Sequence, residues 1–172
     1  EVIMTCGAAG ALNVILKALL DPGDEVLAPV PCFVEYKFYT DNHGGVFKTV
    51  KTQENFSLDL EADAEAITPK TKVVLINTPN NPTGQIYARE SLDALGELLG
   101  KKSRELNRTI YLVSDEPYRK IVYDNAEVPS IFASYAESVL ATSYSKDLSL
   151  PGERIGFLAI NPRASYKKDL IE

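Results

Sequence analysis

The sequence has a single histidine and two cysteines, no long apolar run, and fewer basic than acidic side chains. The lone histidine, His43, lies in the turn-like stretch Asp41-Asn42-His43-Gly44-Gly45 and reads as a surface loop residue. Hydrolase mechanisms built on a serine–histidine or cysteine–histidine couple are therefore disfavoured on inventory alone. Cys6 and Cys32 form no CxxC and have no histidine cluster beside them. That excludes a disulfide scaffold and any familiar zinc spacing, so no metal is expected, and it fits a reducing cytoplasm. No apolar run approaches the length of a membrane span and no signal-peptide pattern opens the chain, so no membrane partner is expected. The net charge of −6 argues against non-specific nucleic-acid binding, because phosphate contacts need a basic face.

What is present is the material of one domain. A chain of 172 residues with 45% hydrophobic and 24% charged residues has the composition of a globular protein and can bury a core. There is no internal repeat, low-complexity tract or linker, so residues 1–172 read as one unit. Val2-Ile3-Met4-Thr5 reads as a strand already under way, and Lys167-Lys168-Asp169-Leu170-Ile171-Glu172 as a helix stopped early. Both ends are expected to be cuts through a larger protein.

Between them the pattern is strand, turn, helix, repeated. Strands are expected at 2–5, 25–29, 45–50, 72–77, 109–114, 138–142 and 156–160. Helices are expected from Gly7-Ala8-Ala9-Gly10 through Leu20, over 33–40, over 59–67 and over 89–106, with Asp21-Pro22-Gly23-Asp24 stopping the first. Such alternation predicts an α/β fold whose mostly parallel sheet is covered by helices on both faces, in three layers. In open sheets of this kind ligands sit beyond the carboxyl ends of the strands.

The polar residues that follow the strands carry the chemistry. Gly7-Ala8-Ala9-Gly10 opens a helix with bare amides and a positive dipole end, which suits an anion; tight packing explains small residues equally well. Thr78-Pro79-Asn80-Asn81-Pro82-Thr83-Gly84 reads either as a turn or as a source of amide donors. Asp115-Glu116-Pro117-Tyr118 places a carboxylate at a buried strand end, either as a helix cap or as the counter-charge of a ligand cation, with Tyr118 on the same side. Ser143-Tyr144-Ser145-Lys146 is followed by Arg154, held between Gly152 and Gly156 just before another buried strand, a combination unlike an ordinary solvated loop.

Asn81-Pro82-Thr83-Gly84, Asp115-Glu116-Pro117-Tyr118, Ser143-Tyr144-Ser145-Lys146 and Arg154-Ile155-Gly156, in that order, resemble the class I/II aminotransferases of fold type I, the aspartate aminotransferase superfamily. The resemblance covers essentially the whole chain, which is roughly half the length of such a protein, and implies a truncated cofactor-binding large domain. It implies a pyridoxal 5'-phosphate cofactor, with Lys146 as the lysine that forms the internal aldimine and shuttles the proton on the substrate carbon. Asp115 matches the partner of the pyridinium nitrogen, where a carboxylate improves the ring as an electron sink. Asn81 and Tyr118 match the donors to the cofactor's phenolic oxygen. Ser143, Arg154 and the amides of Ala8 and Ala9 match the phosphate cup, for which the planar arginine fork is well suited. Phe33 matches the aromatic that stacks on the pyridine ring, a place more often held by tryptophan or tyrosine. Ser145 ranks behind Ser143 as a phosphate ligand.

The resemblance further implies amino-group transfer between an amino acid and a 2-oxo acid in a cytoplasmic homodimer. The family's N-terminal arm and small domain, the arginine for the substrate carboxylate and the neighbouring subunit's tyrosine at the phosphate are absent from these residues. The chain by itself is therefore expected to be inactive. Two alternatives stay open: a lyase or aminocyclopropane-carboxylate-synthase-like enzyme on the same scaffold, of which Ser145-Lys146-Asp147-Leu148 with Leu150-Pro151-Gly152 has the flavour, or the aminotransferase-like sensing domain of a transcription regulator.

Overall fold

A computed structural model describes residues 1–166 and 168–170. Among these residues seven strands form one sheet: β1 (Val2–Cys6), β2 (Glu25–Val30), β3 (Val46–Lys51), β4 (Thr71–Asn77), β5 (Tyr111–Asp115), β6 (Ser138–Ser143) and β7 (Ile155–Ile160). Their order in space is β1-β7-β6-β5-β4-β2-β3. The block from β6 to β3 is parallel throughout, whereas β7 is antiparallel to both β6 and β1. The sequence pattern predicts the seven strands and the mostly parallel sheet; the reversal of β7 it does not reveal. Its cause is local. Residues 144–154 carry turns but no helix, and a parallel return needs a crossover of a dozen or more residues.

Helices cover the two faces. On one, α1 (Gly7–Leu19) buries Ala11, Leu12, Ile15, Leu16 and Leu19, a stripe at helical spacing, and packs with Tyr36 and Tyr39 of the short α2 (Tyr36–Asp41) over Val26, Val73, Val113, Val139 and Leu158. On the other, α3 (Leu60–Ala66), α4 (Arg89–Glu105) and α5 (Ile131–Ser134) close over Leu27, Val74, Ile76 and Leu112, with Leu92, Leu95 and Leu99 as the buried face of α4. The start of α3 is fixed by Asp59, whose Oδ1 accepts from the Ala62 amide at 3.1 Å. Gly96 lets α4 meet α5, since a Cβ there would stand 2.3 Å from the Ser134 carbonyl oxygen.

Local expectations are corrected in places. The helix expected from Phe33 begins at Tyr36, because the chain first turns at 33–35. No helix follows Asp115, so it caps none; residues 117–120 form turns. The four-residue α5 carries too little sequence for a periodic signal and is absent from the expected elements. The expected C-terminal helix falls partly outside the described residues, and 168–170 are turns.

This topology gathers the carboxyl ends of β4, β5 and β6 at one edge of the sheet. Two reversals, β6 to β7 and β7 to β1, bring the end of β1 and the start of β7 to the same edge. Gly156 is central there, paired with Thr5 on one side and Ser143 on the other. A Cβ at Gly156 would lie 2.5 Å from the Thr142 carbonyl oxygen and 2.6 Å from the Gly7 carbonyl carbon, so only glycine lets the three strands and the β1–α1 turn come this close.

Candidate active site

At that edge lies a cavity of about 320 Å³. Its lining includes Ala8, Ala9, Phe33, Asn81, Asp115, Tyr118, Ser143, Lys146 and Arg154, so all nine residues singled out in the sequence converge on one space. Ser145 lines it too, as do Asn77, Glu35 and Tyr39, which the sequence reading did not select. A larger neighbouring cavity of about 450 Å³ shares Asn81 and Tyr118, but among the described residues tyrosines are its only ionisable lining, whereas the smaller one is lined by charged side chains.

Each wall has a local cause. The first turn of α1 has no acidic residue and its cap residue, Cys6, makes no side-chain cap bond, so the amides at Ala8 and Ala9 retain donor capacity toward the cavity. The turn into α1 is made by Gly7 at φ +70°, whose missing side chain leaves room for Arg154: a Cβ would come 3.3 Å from its guanidinium. Arg154 itself donates to the Pro151 carbonyl at 2.8 Å. Buried Ser143 ends β6. Asn81 is fixed by the backbone: its amide donates to Asn77 Oδ1 at 2.6 Å, and Asn77 Nδ2 donates in turn to the Asp115 carbonyl at 2.8 Å. Lys146 Nζ stands 6.0 Å from the centre of the Tyr118 ring. The loop carrying Lys146 is tied to the turn after β5 by a 3.5 Å ion pair between Asp147 and Lys120.

Asp115 is the electrostatic centre. Its side chain is buried at the end of β5. Oδ2 accepts the Tyr36 hydroxyl at 2.7 Å, while Oδ1 is buried without any hydrogen-bond partner among the described residues. Burial pushes its pKa up to about 7; the Tyr36 hydrogen bond pulls against that, and the nearby Glu116 carboxylate adds to it. A half-satisfied buried carboxyl of this kind suits a cationic N–H donor, which would complete its hydrogen bonding and restore its charge. Tyr36, the donor to Asp115, is fully buried and stands three residues after Phe33, but an aromatic in an apolar segment gives no sign in the sequence of a polar task.

Comparison with known proteins places this architecture. The family model described as "Aminotransferase class I and II" matches residues 1–170. A probable aspartate aminotransferase of Methanocaldococcus jannaschii is 40% identical over 172 residues, covering 99% of this chain and 44% of its own. Among solved structures, an amino transferase from Eubacterium rectale superposes with a TM-score of 0.96 at 42% identity, over 98% of this chain and 43% of that one. The aspartate aminotransferase of Thermus thermophilus with maleate gives 0.86 at 36% identity, over 99% and 43%. The chain thus spans less than half the length of the relatives it matches, and over that span it belongs to the class I and II aminotransferase family.

Proposed function

We propose that residues 1–172 are the cofactor-binding large domain of a pyridoxal-phosphate-dependent aminotransferase that moves an amino group between an amino acid and a 2-oxo acid, with Lys146 holding the cofactor covalently. The observation that carries this reading is the unpartnered Asp115 Oδ1, buried in a cavity that also holds a lysine, an arginine and an uncapped helix N-terminus. The family depends on pyridoxal phosphate, and the donor set fits that group. A ring N–H needs a carboxylate acceptor, a phenolic oxygen needs neutral donors, and a phosphate needs amides and a guanidinium.

Asp115 Oδ1 would accept the ring N–H and keep the proton there. Asn81 Nδ2 and the Tyr118 hydroxyl would donate to the phenolic oxygen. The amides of Ala8 and Ala9, the Ser143 hydroxyl and the Arg154 guanidinium would bind the phosphate, with Ser145 ranking behind Ser143, and Phe33 would stack on the ring. When bound, the cofactor supplies the sink for the electron pair left at the substrate α-carbon. Lys146 would hold the cofactor and, as a free amine, would be the base placed to move a proton at the substrate α-carbon.

Several finer points belong to the same proposal and rest on the family likeness: a homodimer in the cytoplasm, and substrate-carboxylate recognition by parts of the protein beyond these residues. The relatives' names favour amino-group transfer over the elimination, cyclopropane-forming and regulatory alternatives. The test is a coupled assay on the full-length protein with an amino acid and a 2-oxo acid. Amino-group exchange that disappears in Lys146→Ala is expected. Release of ammonia or of a cyclopropane product without exchange would refute transamination.

A further inference from the structure

The two oxygens of Asp115 are not equivalent. Oδ2 receives the Tyr36 hydroxyl at 2.7 Å, and Oδ1 is buried with no hydrogen-bond partner among the described residues. Tyr36 is itself held from several directions. It is fully buried, its ring meets that of Phe33 edge-on at 5.6 Å between centres, its amide donates to the Phe33 carbonyl at 3.3 Å, and its carbonyl accepts the Thr40 hydroxyl at 2.8 Å. A short stretch of chain, 33–36, therefore supplies both a wall of the cavity and the support of the carboxyl at its base. A carboxyl with no such donor can rotate about its Cβ–Cγ bond and present either oxygen.

We propose that Tyr36 is a positioning residue of this site: its hydroxyl fixes the Asp115 carboxyl and commits Oδ1 to the ring nitrogen of the cofactor. The inference rests on the reading of Asp115 given above. Tyr36 touches neither substrate nor cofactor in this role; it acts through Asp115. The bond also favours the charged carboxylate against burial and against Glu116, the other acidic group bearing on it. Tyr39 and Tyr118 feel the Asp115 charge in their turn, and burial with Asp115 holds the Tyr36 hydroxyl well above its usual range, so it remains a donor at any working pH.

The test uses the full-length protein and begins without cofactor. The Asp115 carboxyl is followed by carbon-detected resonance, assigned by its loss in Asp115→Asn. In Tyr36→Phe its titration midpoint should rise by about one unit, as expected for loss of one buried hydrogen bond to a carboxylate. An unchanged midpoint overturns the proposal. If Tyr36→Phe does not fold, fluorotyrosine at position 36, a more acidic donor of nearly the same shape, should lower the midpoint, and a midpoint that stays put is equally fatal. Cofactor affinity then separates positioning from packing. Tyr36→Phe should weaken it about tenfold, and should weaken it no further in an Asp115→Asn background; additive losses would make Tyr36 merely structural. Failure of Asp115→Asn alone to weaken cofactor binding would refute instead the underlying assignment of Asp115.

Discussion

At the scale of single residues, if Asp115 serves the ring nitrogen, Asp115→Asn in the full-length protein should fold and lose turnover by on the order of 100-fold, the usual effect of deleting one preorganised electrostatic partner. Unchanged steady-state kinetics would remove Asp115 from the mechanism. The candidate site was legible in the sequence wherever a polar group followed a strand: Lys146, Asp115, Asn81 and Arg154 are conspicuous because charge and amide groups at the ends of buried strands need a reason. Tyr36 and Asp63 were not legible, because burial, which gives each its meaning, is a property of the fold. Asp63 makes a different prediction. It lies buried in α3, neither oxygen has a hydrogen-bond partner among the described residues, and burial, with Asp59 adding to it, raises its pKa from 3.8 to about 7. Folding therefore keeps a proton that the unfolded chain releases. The cost is absent below about pH 4, grows as pH rises toward 7 and is complete above it. Asp63→Asn should raise stability at pH 8 by on the order of 2 kcal/mol and have little effect at pH 4. Denaturant melts of both proteins at the two pH values check this; equal midpoints at pH 8 would show that Asp63 finds a partner in solution.

At the scale of elements, periodicity served well where an element was long or fully buried. The apolar runs of β4 and β5 and the stripes of α1 and α4 could be read directly. The start of α2 and the whole of α5 could not, since one is set by the turn at 33–35 and the other is a single turn capped by Ser130. Nor could the close approach at Gly156, which appears in sequence only as a glycine after Arg154. That approach decides whether the α1 N-terminus, Ser143 and Arg154 share one anion site. Gly156→Ala puts a methyl against two backbone groups that no rotamer change can move. It should destabilise the protein by about 3 kcal/mol and weaken phosphate retention. Thermal melts with and without inorganic phosphate measure both effects; a variant as stable as the parent would mean that the strands can part at no cost.

At the scale of the whole molecule, the alternation of strands and helices predicted three layers, but the antiparallel setting of β7 and β1 arises from a short connection and carries no hydropathic signature. Its consequence is an apolar strip: Val2 and Met4 are each 63% exposed on the edge strand, and Cys6 and Ile155 continue the same face in register. Apolar surface of this kind favours association. The 172-residue chain on its own should sediment as a concentration-dependent oligomer, and Val2→Ser with Met4→Ser should shift it toward monomer; a parent chain that stays monomeric at every concentration would place the interaction elsewhere.

The proposed covalent anchoring of the cofactor by Lys146 is tested most directly by borohydride reduction of the cofactor-loaded full-length protein, followed by peptide mapping. The label should fall on Lys146, in the loop that follows β6. A label on Lys120, across the ion pair with Asp147, or on Lys72, away from the cavity, would contradict it.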